Sequence, residues 1–187
     1  TPDQVTRRQL AELMVGSELP SPHGRASAVG SDIRLEVRDL TVAGPGTKPV
    51  VDDVSFVIHA GEVLGVAGVE GNGQFELCEA ILGQVVPKSG TVRIADTDVT
   101  DSSPHERLVN GLSYIPFDRH HEGLMPDAPL WENVLLTRDE EPAFTRGPFV
   151  DDAAVRRATV DVIERFDVRT PSETVPVFAL SGGNQQK

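Results

Sequence analysis

LSGGNQQK, which spans Leu180–Lys187, is the most informative motif in the sequence. Its serine is followed by two glycines, so backbone N–H groups can turn toward a phosphate without a Cβ in the way. At the start of a helix, such N–H groups and the helix dipole favour an anion. The Ser-Gly-Gly tripeptide alone would favour a flexible loop, whereas the full run of eight residues is far more specific.

Composition indicates an ordinary globular domain. The 187 residues, 39% of them hydrophobic, are enough for one core, and no apolar run approaches the roughly 20 residues that cross a bilayer. The start at Thr1 lacks the basic-then-apolar pattern of a signal peptide. The net charge of −12 disfavours nucleic acid and anionic lipid as main partners. The single cysteine, Cys78, excludes an internal disulfide and fits a reducing compartment, so we expect a cytosolic chain.

Periodicity along the chain predicts an α/β fold with an antiparallel portion near residues 33–67. Residues 1–16 have a short helical pattern, and residues 17–31 are rich in Ser, Pro, Gly and Ala, as in a linker. The apolar run Val63–Ala67 is typical of a strand buried on both faces. Cys78 falls on the apolar side of a predicted helix, which favours a core position. The other predicted strands are 33–37, 54–58, 91–94 and 112–115. The other predicted helices are 103–110, which opens with a capping box at Ser103 and ends at Asn110-Gly111, and an amphipathic helix that follows Asp151-Asp152, with apolar positions at 155–166.

A glycine-rich turn, Gly68–Glu76, lies between the predicted strand at 63–67 and a helix. Its glycine spacing matches the phosphate loop G-x-x-x-x-G-K-[ST], except that Gln74 replaces the lysine and Phe75 the magnesium-binding hydroxyl. Losing the lysine removes a contact worth roughly 1.5–3 kcal/mol, and phenylalanine has no oxygen for a metal. Residual nucleotide binding is compatible with this loop, but hydrolysis is not. A dinucleotide fold is excluded because Glu76 occupies the third glycine position. The candidate loop residues are Gly68, Gly71, Asn72, Gly73, Gln74, Phe75 and Glu76.

These stretches, together with Tyr114–Leu124 between them, resemble motifs of ABC-type ATPases. Leu180–Lys187 resembles the signature in the form typical of importers for simple sugars and nucleosides, and Gly68–Phe75 resembles a degenerate Walker A loop. Tyr114–Leu124 is similar to the Q-loop pattern Y-[IV]-P-E-D-R. There Phe117, before Asp118, replaces the polar residue that would approach magnesium and the membrane subunit's coupling helix. The resemblance continues weakly through Leu130–Val134.

The resemblance implies a P-loop, ABC-type nucleotide-binding domain at residues 32–187, with an antiparallel β subdomain and a helical subdomain. Because the family's Walker B strand follows the signature, the resemblance also implies that the domain is incomplete here, without the residues after the signature. In importers that carry two ATPase domains on one polypeptide, the first domain ends in a stretch similar to Glu12–Gly16. Residues 1–16 are therefore expected to be the tail of a preceding ATPase domain, followed by the linker at 17–31.

The family's ATP site is composite, because one domain's Walker A loop binds ATP and the other domain's signature closes on the γ-phosphate. The resemblance therefore implies that the signature of this chain contacts ATP in trans, while the chain itself holds no catalytic residue and is inactive alone. The implied cofactors are ATP and, at the composite site of the whole protein, Mg²⁺. The signature residues are Leu180, Ser181, Gly182, Gly183, Asn184 and Gln185.

The implied partners are transmembrane permease subunits, and the tandem first ATPase domain or a second copy. A periplasmic or lipid-anchored solute-binding protein would be an indirect partner, and the location would be the cytoplasmic side of the membrane. The run Phe166–Pro171 slightly favours nucleosides over sugars as the solute.

Other classes fit less well or stay open. A self-sufficient kinase would need Lys and Ser/Thr at positions 74 and 75, and a DNA-repair ATPase should show coiled-coil heptads and basic patches. A structural or regulatory nucleotide-binding module remains an alternative. The adjacent pair His120-His121 favours a solvated loop over a metal site. Asp96, Asp98 and Asp101 lack the glycine and glutamate of a calcium loop.

Overall fold

The computed structural model describes residues 28–136, 138–139 and 141–187. The predicted helix in residues 1–16 and the predicted linker up to residue 27 lie outside the described residues. None of the described helices is long and apolar enough to cross a membrane.

A four-stranded antiparallel sheet forms the first half of the described chain. It consists of β1 (Ile33–Ala43), β2 (Pro49–His59), β3 (Ser89–Ile94) and β4 (Thr97–Asp98), in the order β2-β1-β3-β4. Val37 of β1 pairs with Phe56 on one side and Val92 on the other. The predicted antiparallel portion is thus confirmed for β1 and β2.

An irregularity in β1 keeps its apolar residues on one face. The pairing register shifts between Val37 and Leu40, and Asp39 between them has a φ of 50°. Without the extra residue, the odd spacing would put Leu40 on the face opposite Val37, because side chains alternate along a strand. Both are buried, and they belong to the core listed here: Val37, Leu40, Val42, Val51, Leu77, Ala80, Val92, Ile94 and Val99.

Helix α1 (Gln74–Leu82) packs on this sheet and contributes Leu77 and Ala80 to the core. Its C-terminus is held by Arg107, a residue of the next helix, α2 (Pro104–Val109). The Arg107 side chain is 1% exposed and donates hydrogen bonds to four backbone carbonyls, including those of Ala80 (2.7 Å) and Ile81 (2.8 Å) at the end of α1. A cation at a helix C-terminus also offsets the negative end of the helix dipole.

The predicted helix starts are confirmed. Ser103 caps α2 in a capping box, since its hydroxyl accepts from the Glu106 N–H and the Glu106 carboxylate accepts from the Ser103 N–H. Asp151 caps the helix α4 (Asp152–Arg165) by accepting from the Ala154 N–H at 3.0 Å. The α2 helix ends at Asn110 and Gly111, as predicted.

The second half of the described chain is mainly helical. It contains a π-helical turn (Arg119–Gly123), α3 (Leu130–Leu135), the hairpin of β5 (Thr145–Arg146) and β6 (Phe149–Val150), α4, a 3₁₀ turn (Val177–Ala179) and α5 (Gly182–Gln185). Helix α3 packs against α4. The guanidinium of Arg156 lies 4.8 Å from the centre of the Trp131 ring and also faces Glu173.

Two predicted strands are wrong for the described structure. Residues 63–67 and 112–115 are not strands, and Val63 and Ile115 are 94% and 92% exposed rather than buried. A strand exists only when neighbouring strands take up its N–H and C=O groups. The described four-stranded sheet does not include either segment. Apolar composition alone is therefore not sufficient to predict a strand.

Candidate functional site

The glycine-rich loop leads directly into α1, as predicted. Gly73 is the N-cap of the helix with a φ of 91°, and a Cβ there would collide with the carbonyl oxygen of Val50. This position therefore needs glycine both for its backbone angle and for its close approach to β2. Gly73 provides no side-chain capping hydrogen bond, so it leaves the first-turn N–H groups of the helix available to an acceptor such as a phosphate. Glu76 in the same turn adds an opposing negative charge.

Gln74 lies across the loop. Its Nε2 donates to the carbonyl of Val69 at 3.2 Å, and a Cβ placed on Gly68 would collide with its carboxamide. The side chain at the lysine position therefore closes a neutral hydrogen bond within the loop. It brings no positive charge to a phosphate, so any anion binding would depend on backbone N–H groups alone.

Phe75 contacts Phe117. The ring centroids are 4.5 Å apart and the planes are tilted by 49°, with Phe75 50% and Phe117 66% exposed. The resemblance implies a polar side chain near Mg²⁺ at each of these two positions. Both residues present phenyl carbons instead, which offer no oxygen to a metal. Within the described residues, no cluster of three or more His, Cys, Asp or Glu side chains could hold a metal ion. The residues at this loop therefore do not fit Mg²⁺.

The segment after Phe117, residues 118–123, is organised by Asp118. Its carboxylate accepts hydrogen bonds from the N–H groups of His120 (3.0 Å) and His121 (3.2 Å), and it pairs with His121 Nδ1 at 2.7 Å. The side-chain hydrogen bond with His121 is the main cause that lowers the pKa of Asp118. The two histidines lie exposed in this turn, as predicted. Asp118 is thus a capping residue of the turn in this structure.

The signature residues divide into anchors and presented groups. Leu180 is buried, and the Gln185 side chain donates to the carbonyls of Val177 (3.0 Å) and Leu180 (3.2 Å). Asn184 donates to the hydroxyl of Ser181 at 3.1 Å and accepts from the N–H of Arg169. The three exposed members are Ser181, Gly182 and Gly183. The motif therefore presents one hydroxyl and a glycine backbone on a base fixed by Leu180, Asn184 and Gln185.

Arg119 is a functional candidate that sequence reasoning did not single out. Its Nε lies 3.4 Å from Oε1 of Gln185, and its Nη2 would lie 3.1 Å from a Cβ on Gly182. Arg119 therefore links the π-helical turn that follows Phe117 to the signature of the same chain. The sequence offered only its place in the Y-I-P-x-D-R pattern, which does not reveal this contact.

A cavity of about 390 Å³ borders α1. It is lined by Phe75, Cys78, Glu79, Gln84, Tyr114 and Glu122. Cys78 lines this cavity and is only partly buried, outside the core cluster. Its predicted core position is therefore wrong. Burial, and secondarily the charge of Glu79, raises the pKa of the Cys78 thiol, which disfavours the reactive thiolate.

Comparison with known proteins gives consistent results. The sequence profile of the family described as "ABC transporter" matches residues 51–187. The chain is 36% identical over 182 residues to the nucleoside import ATP-binding protein NupA of Lactococcus lactis subsp. cremoris, covering 97% of this chain and 36% of that protein. It is 37% identical over 180 residues to the guanosine import ATP-binding protein NupO of Bacillus subtilis, covering 96% of this chain and 35% of that protein. The chain thus spans about a third of the length of these curated relatives.

Solved structures show the same fold. The chain is similar, with a TM-score of 0.62 and 20% identity, to an ATP-binding cassette of an ABC transporter in its ADP conformation, covering 82% of this chain and 61% of that one. A dimeric cassette in a post-hydrolysis state, bound to ADP and Pi, gives a TM-score of 0.60 at 21% identity, covering 81% and 65%. These likenesses confirm the α/β fold of an ABC nucleotide-binding domain.

Proposed function

Because the chain belongs to the ABC transporter family, we propose that it is the ATP-binding part of an importer for nucleosides, which couples ATP binding and hydrolysis to uptake. The names of the relatives NupA and NupO support nucleosides over simple sugars as the solute. The partners in this proposal are transmembrane permease subunits on the cytoplasmic side of the membrane, with a solute-binding protein as an indirect partner.

The proposed division of roles rests on a difference between the two motifs. The signature has the residues of the family pattern, whereas the phosphate loop lacks the lysine and the hydroxyl of its pattern. The signature presents the Ser181 hydroxyl and the N–H groups of Gly182 and Gly183 to solvent, whereas the chain's own loop carries Gln74 and Phe75. The signature of this chain acts in trans on ATP bound by another ATPase domain, either a tandem first domain or a second copy. There, the hydroxyl and N–H groups stabilise negative charge on the γ-phosphate as preorganised donors.

Mg²⁺ enters this proposal only with ATP at the other domain's loop, where it would neutralise phosphate charge. The residues of this chain hold the signature in place and exclude a metal from their own loop. Residues 1–16 are the tail of the preceding ATPase domain and residues 17–31 the linker in this arrangement. Residues 32–187 are the nucleotide-binding domain that carries the signature.

The test compares two substitutions in the whole protein that carries this chain. Ser181→Arg should abolish nucleoside uptake and lower ATPase turnover by about 10²–10³, because it removes a donor worth roughly 2.7–4 kcal/mol and adds a bulky cation. Gln74→Ala should scarcely change either rate, since it removes one neutral hydrogen bond worth about 0.5–1.5 kcal/mol. Ser31→Arg, at an exposed serine far from the motif in the sequence, is the matched control and should be silent.

The opposite order would overturn the assignment. If Gln74→Ala is the more damaging variant, the chain's own loop is catalytic. If neither Ser181→Arg nor Gln74→Ala changes uptake, the chain is a structural or regulatory module.

A further inference from the structure

Two phenylalanines that are distant in the sequence are in contact at the start of α1. Phe75 lies in the first turn of α1, and Phe117 stands immediately before Asp118, the cap of the π-helical turn. A centroid distance of 4.5 Å with a tilt of 49° falls within the favourable range for aromatic pairs. The contact covers part of each ring, although Phe75 and Phe117 remain 50% and 66% exposed, and covering apolar surface in this way is favourable in water.

Both positions at which the resemblance implies an oxygen ligand carry a phenyl ring in this chain, and the two rings are in contact. A single replacement would leave a polar oxygen facing a phenyl ring, without the metal that such an oxygen serves. With both replaced, each ring covers the other. We infer that the Phe75–Phe117 contact is a metal-free latch, which holds the Phe117 segment (residues 117–123) on α1 whether or not Mg²⁺ and nucleotide are present.

The Phe117 segment has the internal contacts needed to move as a unit. Asp118 holds its turn through hydrogen bonds to two backbone N–H groups. The last residue of the segment, Gly123, folds back onto Pro116, the residue directly before the segment, so closely that a Cβ on Gly123 would lie 2.6 Å from the proline Cγ. A latch at Phe117 therefore positions the whole turn rather than a single side chain.

The Phe117 segment also contacts the signature, because Arg119 within the segment contacts Gln185. The latch thus fixes one end of a connection that runs from α1 to the base of the signature. This inference rests on the proposed function for its consequence: in this domain the position of the signature does not wait for nucleotide at its own loop.

Hydrogen exchange of the amides of residues 118–123 tests the latch directly, in the whole protein without nucleotide and with EDTA. Phe75→Ala and Phe117→Ala should each accelerate exchange by about 2- to 10-fold, the range that corresponds to an aromatic pair. The double variant should be no faster than either single one, because the same contact is lost. Phe75→Tyr, which keeps the ring, should retain the original exchange. Phe149→Ala removes an exposed phenylalanine of β6 and should have no effect on these amides.

Adding Mg²⁺ and ATP should change exchange in the unsubstituted segment by less than about twofold. The latch is overturned if Phe75→Ala leaves exchange unchanged, if the two alanine effects add in the double variant, or if the unsubstituted segment is protected only with Mg²⁺ and ATP. The proposed function fails separately, in the uptake comparison of Ser181→Arg and Gln74→Ala, because neither of those variants touches the ring contact.

Discussion

Replacing Arg107 with alanine should be among the most destabilising single changes in the described structure. The guanidinium is buried and donates to the carbonyls of Thr100 (2.7 Å), Ala80 (2.7 Å), Ile81 (2.8 Å) and Ser102 (3.1 Å). Each hydrogen bond from a charged donor contributes about 1.5–3 kcal/mol when its acceptor stays buried. Only the bond to Ala80 is fully buried, so the other three carbonyls can recover water in part.

We therefore expect Arg107→Ala to lower the free energy of unfolding by about 3–5 kcal/mol, a large part of the 5–15 kcal/mol typical of a domain. Urea denaturation followed by circular dichroism measures this change. Arg107→Lys should cost less, because it keeps the charge but loses the planar fork that reaches several carbonyls. Arg146→Ala, at an exposed arginine, should stay within about 0.5 kcal/mol. A loss below about 1 kcal/mol for Arg107→Ala would refute the anchoring role.

Three further predictions concern the site. The chain alone should hydrolyse ATP no faster than background, because Gln74 and Phe75 supply neither charge nor metal ligand; a phosphate-release assay giving about 1 s⁻¹ would contradict this. We also propose that the region from residue 117 to residue 149 meets the transmembrane subunit, as the resemblance of residues 114–124 to the Q-loop implies. Cysteines placed near Trp131 should therefore cross-link to that subunit in the whole protein; cross-links to another ATPase domain alone would count against that surface. The lowered pKa of Asp118 means that its cap is intact above the ordinary aspartate value of about 3.9 and is lost as the pH falls through the lower folded value. Protection of the amides of residues 119–123, corrected for intrinsic exchange, should therefore fall on acidification, and Asp118→Asn should abolish that dependence.

Local sequence patterns predicted the parts of the fold that local chemistry determines. The capping box at Ser103 and the cap at Asp151 depend on side chains within three residues, and both helices begin there. The glycine loop before α1 depends on backbone angles that favour glycine, and it too lies where predicted. The signature was specific enough for the family because eight residues match in order.

Features that depend on distant partners could not be read in the same way. Residues 63–67 are apolar enough for a strand, but a strand also requires a neighbour, which the pattern does not reveal. Arg107 is a charged residue on a short predicted helix, and only its position at the end of α1 makes it a buried anchor. The contacts of Phe75 with Phe117 and of Arg119 with Gln185 are likewise tertiary.

Trapping of nucleotide with vanadate tests most directly whether this domain's loop or its signature takes part in hydrolysis. The whole protein would be turned over with a photoreactive ATP analogue and vanadate, illuminated, digested and analysed by mass spectrometry. We predict that the trapped nucleotide labels the phosphate loop of the partner ATPase domain and peptides containing Ser181, and that Ser181→Arg removes the trapping. Trapped nucleotide on the peptide that contains Gly68–Glu76, undiminished by Ser181→Arg, would contradict the proposal that this chain acts through its signature in trans and not through its own loop.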